Sequence, residues 1–179
     1  MRTYYIWRMA EPGNQIDFLI AEPFSEPMVL LLKGSYCGQD EFGVEATEWI
    51  QGFESPSVRT LLNEHGLVWI YRNRAREVVG FGSLSIIQWE IGGKRSDVQY
   101  IPMLGVFYEF QGLPEHPPRY CYQIIDHLLD EAEMRADAYP LIVLAVRPDN
   151  EKAIHIYQKT GFKWIKTSDG YTRMFLPLR

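Results

Sequence analysis

The chain has 179 residues, 46% of them hydrophobic, and a formal net charge of -5 at pH 7. That size and apolar content suit a single domain spanning residues 1–179, and the two distant cysteines, Cys37 and Cys121, suggest neither a disulfide framework nor a zinc site. The acidic balance argues against a general nucleic-acid surface and weakly favours a cationic acceptor. No apolar run approaches the roughly 20 residues of a membrane span, so a soluble, cytoplasmic protein without nucleic-acid or membrane partners is expected.

The N-terminus lacks the apolar stretch of a secretory signal, and Tyr4 to Met9 reads as a first strand. Pro12, Pro23 and Pro27 then break any long helix. Phe42, Ala46, Trp49 and Phe53 follow helical intervals, and Ser55-Pro56 begins a second short helix that Gly66 closes. From Leu67 the pattern changes to three antiparallel strands, LVWIYR, VVGFGSLSIIQW and VQYIPMLGVFYEF, with IGGKRSD, Ile91 to Asp97, between the last two. The basic cluster Arg72 to Arg76 falls at a hairpin tip and carries no assigned function. Pro118 to Ala138 is the longest helical pattern, with Ile124, Ile125, Leu128, Leu129 and Ala132 on one stripe, Asp126, Asp130, Glu131 and Arg135 away from it, and His127 on the exposed side. It crosses back to LIVLAV, Leu141 to Val146, whose continuous apolar run implies a strand buried on both faces. A hairpin around Ser168-Asp169-Gly170 ends the chain.

The segment Asn150 to Phe162, NEKAIHIYQKTGF, is the most informative. Asn150, Ala153 and Tyr157 are three and four residues apart and share one helical face, Asn150 suits the N-cap, and Gly161 suits the left-handed residue beyond the helix. A buried strand thus delivers a phenol to its own C-terminal edge, where open α/β sheets place ligands. A tyrosine that merely packs is the competing reading.

This segment resembles the Gcn5-related N-acetyltransferase (GNAT) superfamily in Asn150-x-x-Ala153-x-x-x-Tyr157-x-Lys159-x-Gly161-Phe162 after an apolar strand. The order β-α-α-β-β-β-α-β-α-β-β, an α/β (α+β mixed-sheet) pattern, is similar to the acyl-CoA N-acyltransferase fold over almost the whole chain. The resemblance implies that residues 98–162 form the cofactor-binding core and that residues 10–66 help build the acceptor side. It also implies that Asn150 and Ala153 flank the pantetheine arm of acetyl-CoA while Tyr157 protonates the departing thiolate.

Family members carry a glycine-rich turn for the pyrophosphate, but here FQGLPEHPPRYCYQ, Phe110 to Gln123, puts Arg119-Tyr120-Cys121 where Gly-x-Gly is expected. Pro118 suits a first helical position, which would leave the amides of Arg119, Tyr120 and Cys121 free for phosphate, with the Arg119 charge beside them. A loop that covers the groove is the alternative. In the preceding strand, Gly105 between Leu104 and Val106 marks a bulge or a packing glycine, and the resemblance implies that a backbone amide here polarises the thioester. Glu109 is the carboxylate offered as general base.

The expected activity is transfer of an acetyl group from acetyl-CoA, without a metal, to a primary amine of a small molecule or peptide by direct attack. A homodimer stays open. The competing class is a non-catalytic acyl-CoA-binding or regulatory module with a degenerate pyrophosphate loop.

Overall fold

A computed structural model describes residues 4–5, 19–24, 36–51, 66–91, 93–111 and 120–179. In chain order these form β1 (Tyr4–Tyr5), β2 (Ile20–Pro23), α1 (Glu41–Gln51), β3 (Leu67–Arg72), β4 (Val78–Ile91), β5 (Lys94–Ile101) and β6 (Leu104–Val106). A 3-10 turn (Tyr108–Phe110), α2 (Tyr120–Glu133), β7 (Leu141–Val146), α3 (Glu151–Lys159), β8 (Lys163–Ser168) and β9 (Tyr171–Pro177) follow. The expected second helix after Ser55, the strand residues beyond Tyr5, and the loop 112–119 with Arg119 lie outside the described residues.

One mixed sheet runs β1-β2-β3-β4-β5-β7-β9-β8, with β6 paired to β4. β5 and β7 are parallel, and α2 supplies the crossover between them. The final hairpin turns at Asp169 and Gly170, both at positive φ (55° and 78°), the backbone that an Asp-Gly pair favours.

The apolar stripe of α2 explains how the sheet is covered. Ile124, Ile125 and Leu128 are wholly buried and pack with Trp69, Tyr71, Ile142, Leu144 and Met174, while Ala153, Ile154 and Tyr157 of α3 join the same cluster. Removing each fully buried aliphatic side chain from water is worth about 2 kcal/mol. The same strands send Ile70 and Phe81 to the opposite face, where they meet Cys37 and Phe107. Gly80 and Gly82 let α2 approach, since a Cβ on Gly82 would stand 3.1 Å from Ile124 and 3.2 Å from Leu128.

Several local expectations are corrected. The segment 98–110 is not one strand: it splits into β5, β6 and a 3-10 turn, and β5 begins at Lys94 inside the stretch expected to be a connection. α2 stops at Glu133 because Gln99 of β5 donates from Nε2 to the carbonyls of Ala132 (2.8 Å) and Tyr139 (3.1 Å), folding the chain back. His127 and Glu131 are buried, not exposed (3% and 7%), because they continue the 124–128 stripe at helical spacing. The imidazole Nδ1 meets the Tyr71 hydroxyl at 2.9 Å, and Trp69 and Tyr71 stand edge-on to the ring.

Candidate active site

The site begins with a break in strand pairing. β5 and β7 run together through Gln99↔Ile142, Tyr100↔Val143 and Ile101↔Leu144, and no further rung joins them. On the other side, β4 pairs with β5 up to Ser85↔Tyr100 and resumes with β6 at Gly82↔Leu104. Two residues of β4 therefore face three of the other strand, which is a β-bulge at 101–103. Ser83 holds it: its hydroxyl donates to the Met103 carbonyl (3.0 Å) and accepts from the Met103 amide (3.2 Å), and its own amide also donates to that carbonyl (3.0 Å).

The bulge decides which backbone groups face the opening. Met103 accepts from Ser83 and the Phe107 amide donates to Val79 (2.8 Å), so alternate residues of this stretch direct their polar groups toward β4. By alternation, Leu104 and Val106 direct theirs the other way, toward the space vacated beside β7. Gly105 has a packing reason for its identity: a Cβ there would stand 2.6 Å from the Phe81 ring.

A cavity of about 460 Å³ occupies this space. Its walls come from Leu104, Gly105 and Val106, from Phe110, Gln111 and Cys121, and from Asn150, Ala153 and Ile156 at the start of α3. A further wall consists of Cys37, Asp40, Phe42 and Gly43 at the start of α1, a region whose part in the cavity was not legible residue by residue. Its usable signal is Asp40, just before the helix: Oδ1 accepts from the Gly43 amide at 2.7 Å as an N-cap does. Arg147 closes the α1 side of the cleft, pairing with Glu41 and Asp149 at 2.9 Å each and lying 5.1 Å from the centre of the Phe42 ring.

Asn150 caps α3 through Oδ1, which accepts from the Ala153 amide at 3.1 Å. Tyr157, one position beyond the cavity-lining Ile156, is half-buried against the core and stands edge-on to Phe162 with centroids 5.9 Å apart. Burial raises the pKa of its hydroxyl, and the nearby Cys121 thiol and Tyr100 phenol raise it further. The phenol therefore stays protonated, next in the chain to a cavity-lining residue but outside the cavity wall. Burial also raises the Cys121 thiol and pushes that of Cys37 up to about 11, so neither is poised as a thiolate nucleophile at neutral pH.

Two other sequence-derived residues fall elsewhere. Tyr120 is buried with its ring against Phe110 rather than in the cavity wall (centroids 6.4 Å apart), and Glu109 sits exposed on the 3-10 turn, outside the cavity lining. Among the described residues no group of three or more His, Cys, Asp or Glu is gathered as a metal site, and no helix is long and apolar enough to cross a membrane.

A mixed sheet whose two central parallel strands part at a bulge, with a helix N-terminus at the mouth of the gap, is the acyl-CoA N-acyltransferase fold. The chain belongs to the acetyltransferase (GNAT) family, whose model matches residues 38–162. No curated protein matches it. Among solved structures, AtaTR bound with AcCoA is 17% identical with a TM-score of 0.66, over 90% of this chain and 93% of that one. The KacTA-DNA complex is 15% identical with a TM-score of 0.64, over 89% and 92% of the two chains. PH1933 from Pyrococcus horikoshii OT3 is 18% identical with a TM-score of 0.63, over 90% and 99%. At these identities the likeness is one of fold.

Proposed function

We propose that this protein transfers an acetyl group from acetyl-CoA to a primary amine of a small molecule or peptide. The observation that carries the reading is the parting of β5 and β7 after Ile101↔Leu144, with Leu104 and Val106 presenting backbone groups to a cavity of about 460 Å³. The cavity is large enough for an extended pantetheine arm, with Leu104, Val106, Phe110 and Ile156 lining it beside the polar Asp40, Gln111 and Asn150. The net charge of -5 is the ground for an amine acceptor without direct nucleic-acid contact.

In the proposed reaction the neutral amine attacks the thioester carbonyl. The oxygen gains negative charge against a backbone amide of Leu104 or Val106, preorganised before the reaction. Tyr157 donates the proton that the departing sulfur takes up. Glu109 faces solvent, so the proton lost by the amine passes to ordered water beside the cavity carboxylates, Asp40 first among them. The amide of Cys121, near the start of α2, together with Arg119, is the proposed contact for the anionic end of the cofactor.

A second reading is supported by Tyr157 itself, whose ring packs on the core. In that reading the domain binds acyl-CoA without turning it over. One experiment separates the two: thermal shift with acetyl-CoA against free adenosine nucleotides, followed by thiol release over an amine panel that includes peptides. Stabilisation by acetyl-CoA with amine-dependent thiol release is expected. Stabilisation without thiol release favours the binding module, and no stabilisation removes the acyl-CoA reading.

A further inference from the structure

The strap Tyr36 to Gly38 links the start of α1 to the cofactor strand, and each side is held differently. Toward α1, the Cys37 amide donates to Thr47 Oγ1 (2.9 Å), and that hydroxyl donates to the Gly43 carbonyl (2.6 Å). Gly38, at φ +141°, lies so close to Gly43 that a Cβ on Gly43 would stand 2.6 Å from the Gly38 Cα. Toward the cofactor strand, the Tyr36 carbonyl accepts from the Tyr108 amide (2.8 Å), and Gln111 Nε2 donates to the carbonyls of both Cys37 (2.6 Å) and Val106 (2.8 Å).

A carboxamide nitrogen carries two N–H donors, and here each meets one carbonyl from a different segment. Without that nitrogen the two carbonyls would be left to solvent, and the direct link between the two segments would be lost. One belongs to Cys37 in the α1 wall of the cavity. The other belongs to Val106, whose amide is directed into the opening between the parted strands.

We propose that Gln111 is a positioning residue for acyl-CoA: its amide locks the strap to the end of β6 and so sets the width of the cavity. The inference rests on the acyl-CoA reading of that cavity. Gln111 is an exposed residue outside both buried clusters, so replacing it leaves the hydrophobic core intact.

The test compares wild type with Gln111→Ala and with the near-isosteric Gln111→Glu, which has no donor when ionised. Hydrogen exchange without ligand reads the clamp directly: protection of the Tyr108 amide should fall about tenfold in both variants. Unchanged protection would overturn the clamp whether or not the cofactor binds. Calorimetry with acetyl-CoA should show about tenfold weaker binding in both variants, and turnover should show a raised KM for acetyl-CoA with kcat within about twofold. A lowered kcat at unchanged KM would overturn the positioning role. Wild-type protein that fails to bind acetyl-CoA would overturn the functional reading, and the cofactor role with it, while the exchange data still decide whether the strap is clamped.

Discussion

At the scale of single residues, the chemistry depends on where polar groups are satisfied. Asn150 uses Oδ1 on the Ala153 amide, while Gln99 and Gln111 each spend both amide hydrogens on two carbonyls. In each case a side chain completes a backbone bond that secondary structure leaves open. Tyr157 differs, because its hydroxyl is set in a place where burial, the Cys121 thiol and the Tyr100 phenol all disfavour ionisation. It therefore stays protonated over the whole physiological range, and in the proposed role its transfer of a proton to a thiolate depends on the site raising the thiol as well. Tyr157→Phe should lower kcat by about a hundredfold while the affinity for acetyl-CoA stays within a factor of about three. Steady-state kinetics with calorimetry check this, and full turnover in the variant would remove Tyr157 from the reaction.

The bulge between β5 and β6 is the element on which the opening depends. It flips the alternation of the strand, so that Ile101 and Leu104 share the α2 face although they stand an odd number of positions apart, and it ends the pairing with β7. Ser83 supplies the hydroxyl that satisfies the Met103 amide there. Ser83→Ala should leave that amide without a partner, costing about 1–3 kcal/mol in urea unfolding and weakening acetyl-CoA binding in parallel. An unfolding free energy equal to wild type would mean that the main chain holds the bulge unaided. The segment Val98 to Phe110 looks like one strand because Pro102 and Gly105 are the only local signs of interruption. The residue that stabilises the break, Ser83, lies on a different strand.

Across the whole molecule, two helices share one face of the sheet and bury a histidine with them. Burial pushes the His127 imidazole down to about 4, against an ordinary value near 6.5. Between these values the unfolded chain holds a proton that the folded chain does not, so stability is fully present above about pH 6.5 and falls as the pH drops toward 4. The loss is at most roughly 3 kcal/mol from this group. Burial raises the carboxyls of Glu131 and Asp130, which act with the opposite sign. His127→Leu should flatten the fall in unfolding free energy between pH 7.5 and pH 5, measured with urea at both values. An equally steep fall in the variant would place the acid sensitivity elsewhere. The stripe of Ile124, Ile125 and Leu128 was legible in its spacing, whereas His127, expected on the exposed side, is buried by Trp69 and Tyr71 of a distant strand. The part played by residues 36–43 in the cavity was not legible, because the wall they build is completed by Gln111 and Arg147 far along the chain.

By itself the sequence determined the elements that local rules specify: the buried strand Leu141–Val146, the Asn150 cap, the stripe of α2 and the Asp-Gly hairpin. Periodicity, capping and turn chemistry act over a few residues, so a linear reading contains them. Only the tertiary structure decided how far β5 and β7 part, which amides of Leu104 to Val106 face the gap, and what closes the cavity. Those features come from contacts such as Ser83 with Met103 and Gln111 with Cys37, between residues that folding alone brings together.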